Sequence, residues 1–509
     1  MPSARLFASS DRVFAEAVRG LSGANPFLPE RIEWEQRALG ADFRAEGSEW
    51  NRLTPSEMLH PNVVLISRRV VALVERTAAR WPAGADQVDG DDRRLFSALV
   101  LFSLYLRFSE RFDAVIREAL AGRSAANRRL PFYPEFQREA VRLLRRPGLG
   151  LLDESPVEHV FACLFQLRRA FHQIHLSLVG GSPALARLRA GIWESVFTRD
   201  LEQYRRVFWA RMHDFTTLVT GPSGTGKELV ARAIALSRYI PFDPRSGAFA
   251  SEFGGSFFAL NLSALSPTLI ESELFGHRKG AFTGALEDRP GWLEVCPPEG
   301  TVFLDEIGEV EPGVQVKLLR VLQARTFQRL GETKVRPFTG KIIAATNRDL
   351  PVEIRAGRFR EDFYYRLCSD QLRTPSLREQ LAGHPGELAP LVEFILRQQM
   401  GDLAAQVGTR DVVAWIEGHL GRDYPWPGNV RELEQCIRNF ILRGEYRPAG
   451  PLAAADDDWN ALLHPGRMTA GELLRRYTRH VHALADGNVE ETARRLDVDR
   501  RTVQARLAS

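Results

Sequence analysis

The string GPSGTGKE at residues 221–228 constrains this chain more than any other segment of its sequence. It follows the apolar run FTTLVT (215–220) and precedes the helical pattern ELVARAIALS (228–237). A strand that breaks into glycines and restarts as a helix aims a row of backbone N–H groups at one point, a cradle for phosphate oxygens. Gly221, Gly224 and Gly226 let the amides turn inward, and Pro222, Ser223 and Thr225 complete the turn. Lys227 supplies a compact ammonium where a guanidinium would be too wide. The choice is pointed, because only five of the 68 basic residues are lysines, all between positions 227 and 341. Glu228 stands where the usual phosphate-loop pattern carries a metal-binding hydroxyl.

From about residue 215 short apolar runs alternate with helical segments, the texture of an α/β domain with a parallel sheet. The runs lie at 257–262, 301–304 and 341–346. The run at 301–304, within GTVFLDEIGEV, ends in Asp305 and Glu306. At the C-terminal edge of a parallel sheet Asp305 would face Mg2+, and Glu306 a water in line with the γ-phosphate of ATP. Asn347 ends the run KIIAATN, where it would sense or position the same phosphate. The sequence predicts no strand after Arg366, and a helical lid over 367–446.

Residues 1–180 read as mostly helical, with apolar positions three and four apart over 97–121 and 156–178. Residues 447–466 have a linker composition. The tail, 467–509, ends in GNVEETARRLDVDRRTVQARL, where Val489, Ala493, Leu496, Val498, Val503 and Leu507 suit two short helices packed across a turn, a helix-turn-helix. Nine arginines and six acids in the tail point to local contact with double-stranded DNA. Arg500, Arg501, Thr502, Gln504 and Arg506 on the second helix would face phosphates and base edges.

Composition excludes more than it proposes. The chain of 509 residues is 44% hydrophobic and 26% charged, which fits several folded domains. A net charge of +4 is too small for a protein coated in nucleic acid or bound to an anionic membrane. The longest apolar stretch, 96–106, is too short for a membrane span, so a cytoplasmic location is expected. Four dispersed cysteines give neither a disulfide framework nor a zinc site.

At 271–285 the chain reads ESELFGHRKGAFTGA. With this segment it closely resembles the sigma-54-dependent transcriptional activators, a family of AAA+ ATPases. The resemblance implies three parts: a regulatory N-terminal region, an α/β AAA+ P-loop domain (181–366) with its lid, and a C-terminal Fis-type helix-turn-helix. It makes Gly280, Ala281, Phe282, Thr283, Gly284 and Ala285 the loop that engages sigma-54 RNA polymerase. It places Arg360 and Arg366 of FREDFYYR as arginines acting on a neighbouring subunit's ATP, in an oligomer that grows from a dimer to a hexameric ring. It puts Arg431 of YPWPGNVREL at the lid's sensor position, and Asn261 of FFALNLSAL against Glu306. Two departures are loops: residues 241–255 are longer than in most members, and Pro222 stands where Glu is usual. No lysine precedes Lys227, so a working phosphoacceptor receiver is not expected at the N-terminus, and control by a partner or small ligand is. The competing reading is a DNA-binding regulator that uses the AAA+ domain only for nucleotide-dependent oligomerisation.

Overall fold

The computed structural model describes residues 5–45, 61–84, 88–122, 128–252, 257–401, 408–448, 469–485 and 487–508. The linker expected at 447–466 lies, from residue 449 on, outside them. The chain divides into two compact units, Met1–Leu442 and Arg443–Ser509.

The N-terminal part of the first unit is helical as its periodicity predicts: α1 Ser9–Gly23, α2 Glu30–Leu39, α3 Pro61–Ala79, α4 Gly90–Leu120, α5 Tyr133–Leu144, α6 Leu151–Glu154, α7 Val157–Ser177, α8 Pro183–Phe197 and α9 Leu201–Arg206. Asp89 starts the long α4 by accepting the Asp91 N–H at 3.0 Å, a cap for donors the first turn cannot satisfy. Phe96, Phe108 and Phe112 of α4 are fully buried. Phe112 meets Phe165 of α7 edge-on at 5.5 Å, and Phe136 of α5 meets Phe161 at 4.9 Å, both favourable ring geometries.

The α/β part is built on one five-stranded sheet, all of whose pairings are parallel. Its strands are β1 Thr217–Thr220, β4 Phe257–Asn261, β7 Thr301–Asp305, β10 Lys341–Thr346 and β11 Asp370–Arg373, in spatial order β11, β1, β10, β7, β4. All six residues of β10 are buried, as expected of a central strand covered on both faces. The strand β11 corrects the expectation that strands end at Arg366. It pairs with β1 from Thr217 opposite Asp370 to Thr220 opposite Arg373. As an edge strand it buries only Leu372 of DQLR, so it carries none of the apolar run that marks its neighbours.

Helix α10 (Lys227–Ala235) follows β1 directly, α11 (Pro267–Phe275) follows β4, and α13 (Pro312–Ala324) follows β7. The helix α15 (Glu361–Leu367) leads into β11, and the lid consists of α16 (Leu377–Leu381), α17 (Leu388–Met400), α18 (Thr409–His419) and α19 (Asn429–Arg443). The long loop after α10 contains a two-stranded hairpin, β2 Phe242–Asp243 and β3 Ala248–Phe249. Its aromatics enter the core of the N-terminal helices: Phe242 lies 4.4 Å from Tyr133 and 4.6 Å from Phe161 between ring centroids. Phe249 lies 4.5 Å from Phe165, and the Leu130 N–H donates to Gly247 O at 2.8 Å.

The described residues of the second unit include the helices α20 Ala470–Leu484, α21 Val489–Leu496 and α22 Arg500–Ala508. Asn488 caps α21 by accepting from Glu490 and Glu491 N–H. Asp497 takes a left-handed φ of 51° at the turn, and Asp499 caps α22 through Thr502. Thr478, Val481, Ala493 and Val503 form the buried junction.

If the hairpin is part of the helical core, Phe242→Ala should destabilise the whole first unit by about 3–5 kcal/mol. Urea denaturation of the full chain should then show the midpoint fall as one transition, and an unchanged midpoint would mean that the hairpin merely rests on the surface.

Candidate functional site

The loop between β1 and α10 lies at the C-terminal edge of the sheet, with the ends of β7 and β10 beside it. Gly221, Gly224 and Gly226 all adopt positive φ, which only glycine takes without strain. A side chain at Gly221 would collide with Thr374, just beyond β11, and one at Gly224 with the Gly428 carbonyl of the lid. Thr225 is buried and its hydroxyl lies 2.6 Å from that of Thr374.

Lys227 opens α10 and is buried. Its Nζ donates to the Gly221 and Pro222 carbonyls at 3.2 and 3.3 Å. Burial pulls its pKa down while Glu306 and Asp305 push it back up, so both carboxylates act on this ammonium through space. Burial and the neighbouring Glu306 raise the Asp305 pKa. Glu306 sits in a left-handed conformation, φ 56°, an uncommon state for a side chain of its size. Its Oε2 accepts the Asn347 backbone N–H at 3.3 Å, joining the ends of β7 and β10. Glu228 is exposed and pairs with Arg232 at 3.3 Å, so it does not replace the missing hydroxyl.

The lid reaches the same loop. Asn429 Nδ2 donates to the Ser223 carbonyl at 2.9 Å while its Oδ1 accepts the Leu377 N–H at 2.9 Å. Arg431 Nη1 donates to Ser223 Oγ at 3.1 Å, and the Val430 N–H to Gly224 O at 3.0 Å. The constellation thus gathers Lys227, Asp305, Glu306, Asn347 and Arg431. Asn429 and Thr374 complete it, and sequence reading passed over both; the only signal was the PGN turn, where Asn429 holds a φ of 54°.

Three expected residues stand apart. Asn261 ends β4 opposite Asp305, but its Oδ1 is taken by the Ser263 N–H at 3.0 Å and hydroxyl at 2.8 Å. Among the described residues its side chain makes this local cap and no hydrogen bond with Glu306. Arg360 precedes α15 and pairs with Asp362 at 2.7 Å, while Arg366 is exposed on the last turn of α15. Neither makes a hydrogen bond to the loop among the described residues.

The segment 280–285 forms the tip of a hairpin whose arms are β5 Gly276–His277 and β6 Arg289–Pro290. Gly280 N–H donates to Ala285 O at 2.8 Å and Ala285 N–H to Phe282 O at 3.0 Å. Gly280 and Gly284 have open space around them. Phe282 rests edge-on against His277 at 5.0 Å, whereas Thr283 is exposed.

Residues 195–373 match the family described as the Sigma-54 interaction domain. The transcriptional regulatory protein ZraR of Klebsiella oxytoca is 35% identical over 373 residues, 70% of this chain and 72% of that protein. The chain belongs to the sigma-54-dependent transcriptional activators. This activator is also 45% identical over 247 residues to the Nif-specific regulatory protein of Azotobacter vinelandii, covering 48% of its own chain and 43% of that one. With the activator SfnR of Pseudomonas putida it shares 43% identity over 227 residues, 45% of its length and 57% of SfnR. It therefore spans only about half the length of these two relatives. Among solved structures, NtrX from Brucella abortus in complex with ATP is 26% identical, covering 68% of this chain and 72% of that one, with a TM-score of 0.39.

In the activator's C-terminal unit, Arg501 and Gln504 are exposed on α22 and Arg506 is partly so. Arg500 is paired with Glu490 at 2.7 Å, and the Thr502 hydroxyl donates to Asp499 at 2.7 Å. These two are engaged within the unit, one as an exposed ion pair and one as a cap. No helix among the described residues is long and apolar enough to cross a membrane.

Asn429→Gly suits the left-handed backbone and removes only the side-chain bonds to Ser223 and Leu377. It should cost about 1–3 kcal/mol of stability by chemical denaturation; no loss would show that these bonds do not fasten the lid.

Proposed function

We propose that this activator is an ATPase that remodels sigma-54 RNA polymerase at promoters and binds upstream double-stranded DNA through its tail. The observation that carries the reading is the meeting of Lys227, Asp305, Glu306 and Arg431 around a glycine nest that has no room for a side chain at Gly221 or Gly224. Backbone N–H groups of residues 223–227 and the Lys227 ammonium would hold the β- and γ-phosphates, displacing the carbonyls that Lys227 now contacts. The donor set fits ATP with its metal: Asp305 is a half-buried carboxylate beside the ammonium. Mg2+ held there would neutralise charge on the phosphate oxygens. Glu306, fixed by the Asn347 amide, would orient a water and accept its proton as the water oxygen bonds to the γ-phosphorus and the bridging oxygen leaves with ADP.

Arg431 would report the phosphate to the lid, and Asn261 would change partner from Ser263 to Glu306 during the cycle. Arg360 and Arg366, exposed and away from this chain's own nest, are suited to stabilise charge in a neighbour's site, which requires a homo-oligomeric ring. The tip at Phe282 and Thr283 would engage sigma-54, and Arg501, Gln504 and Arg506, with Arg500 released from Glu490 and Thr502 at its cap, would face DNA.

Lys227→Ala should lose nucleotide binding, whereas Glu306→Gln should bind ATP and hydrolyse it at least about a hundredfold more slowly. Equilibrium binding of a fluorescent ATP analogue and phosphate release would separate the two, and near-normal turnover in both would refute the assignment.

Thr283→Ala lies on the exposed tip, so its ATPase should remain within about twofold of wild type while promoter opening by sigma-54 polymerase is lost. Permanganate footprinting would read the opening; a parallel fall in hydrolysis would make the tip a structural element of the ATPase.

A further inference from the structure

Among α1, α4, α7 and the α8–α9 turn lies a cavity of about 910 Å3, within the roughly 300–1,000 Å3 range of small-molecule sites. One wall is apolar: Leu101, Phe102 and Tyr105 of α4, Phe171 of α7 and Trp193 of α8. Arg205 of α9, only 9% exposed, lines it too. Two other guanidiniums of the lining, the buried Arg31 and the partly buried Arg168, are matched by acids, Glu35 and Asp113 respectively. The Arg205 guanidinium donates instead to a neutral acceptor, Ser155 Oγ, and no carboxylate forms an ion pair with it among the described residues. A buried cation without a paired anion is costly. Burial pulls the Arg205 pKa down, and the carboxylates of Glu202 and Glu154, which also line the cavity, oppose that shift through space without pairing with it.

The same corner is hydrogen-bonded to the far end of the helix that leaves the phosphate loop. The Tyr204 hydroxyl, one residue away, donates to Gln166 Oε1 at 2.9 Å. Gln166 Nε2 in turn donates to the Ser237 carbonyl at 3.0 Å, just past the end of α10, the helix that Lys227 begins.

We propose that this cavity is an effector site for an amphipathic organic anion, a mostly apolar body bearing one carboxylate or sulfonate that pairs with Arg205. Its occupancy reaches the nucleotide site through Tyr204, Gln166 and Ser237. The relay rests on the ATPase reading above; the binding site does not.

Calorimetric titration of the full chain with 1-naphthoate, and its displacement of 8-anilinonaphthalene-1-sulfonate, test the site. One naphthoate should bind per chain, at least roughly tenfold more tightly than the neutral 1-naphthamide, because only the acid compensates Arg205. Arg205→Met should erase that preference, and Leu101→Trp, which adds bulk to the apolar wall, should abolish binding while the thermal transition stays near wild type. If Arg205→Met does not fold, the wild-type ratio of acid to amide and the Leu101→Trp variant decide alone. No saturable binding at millimolar ligand, equal affinity for acid and amide, or binding indifferent to Leu101→Trp would overturn the site. Naphthoate should also change the ATP turnover of wild type and leave that of Gln166→Leu unchanged. Binding with unaltered wild-type turnover would overturn the relay and keep the site. Binding in a chain with no ATP turnover at all would overturn the ATPase reading together with the relay.

Discussion

The α/β unit is organised around a short piece of backbone that no side chain can share. Gly221 is closed in by Thr374 and Gly224 by the lid carbonyl of Gly428, so the nest is walled by the edge strand on one side and the lid on the other. Its geometry is set by long-range packing as much as by its own glycines. The strained Glu306 belongs to the same arrangement. Its left-handed backbone turns the carboxylate toward the Asn347 amide and into the field of Lys227, and strain of this kind persists only where the surroundings hold it.

Which parts were legible in the sequence follows from where each residue finds its partners. The central strands announce themselves because both faces are buried and most positions are apolar or small. The edge strand β11 has one covered side and reads as DQLR, indistinguishable from a polar loop. Lys227, Asp305 and Glu306 were legible because their chemistry is local to a strand end or a helix start. Thr374 and Asn429 were not, since each is defined by a partner about 150 to 200 residues away. The insertion after α10 was visible as extra length. Strands of two residues have no period to detect, and nothing in them names Phe161 or Tyr133 as neighbours. In the tail the turn and both helices were readable, whereas the pairing of Arg500 with Glu490 depends on how the helices fold together.

Two hydrophobic clusters cross the boundary that composition suggests near residue 180. Ile240, Phe242 and Phe249 belong to the core of the N-terminal helices, and Phe27, Ala170 and Phe171 share a core with Val219, Val230 and Ile234 of the nucleotide-binding part. Interiors packed this tightly respond to small shifts by rearranging as a whole. Helix α7 is common to both clusters, so a change in how it seats bears on α10.

The hairpin β2–β3 has a bearing on how such proteins can be recombined. A domain joined to its neighbour by a flexible tether can be exchanged for another by cutting the tether. Here the α/β part contributes aromatic side chains to the interior of the helical part, so the two share an inheritance in three dimensions that no single cut point respects. Removing the helical region would leave Phe242 and Phe249 facing water, a sticky patch on what remains. A chimera that grafts these helices onto another α/β domain must carry the hairpin across with them.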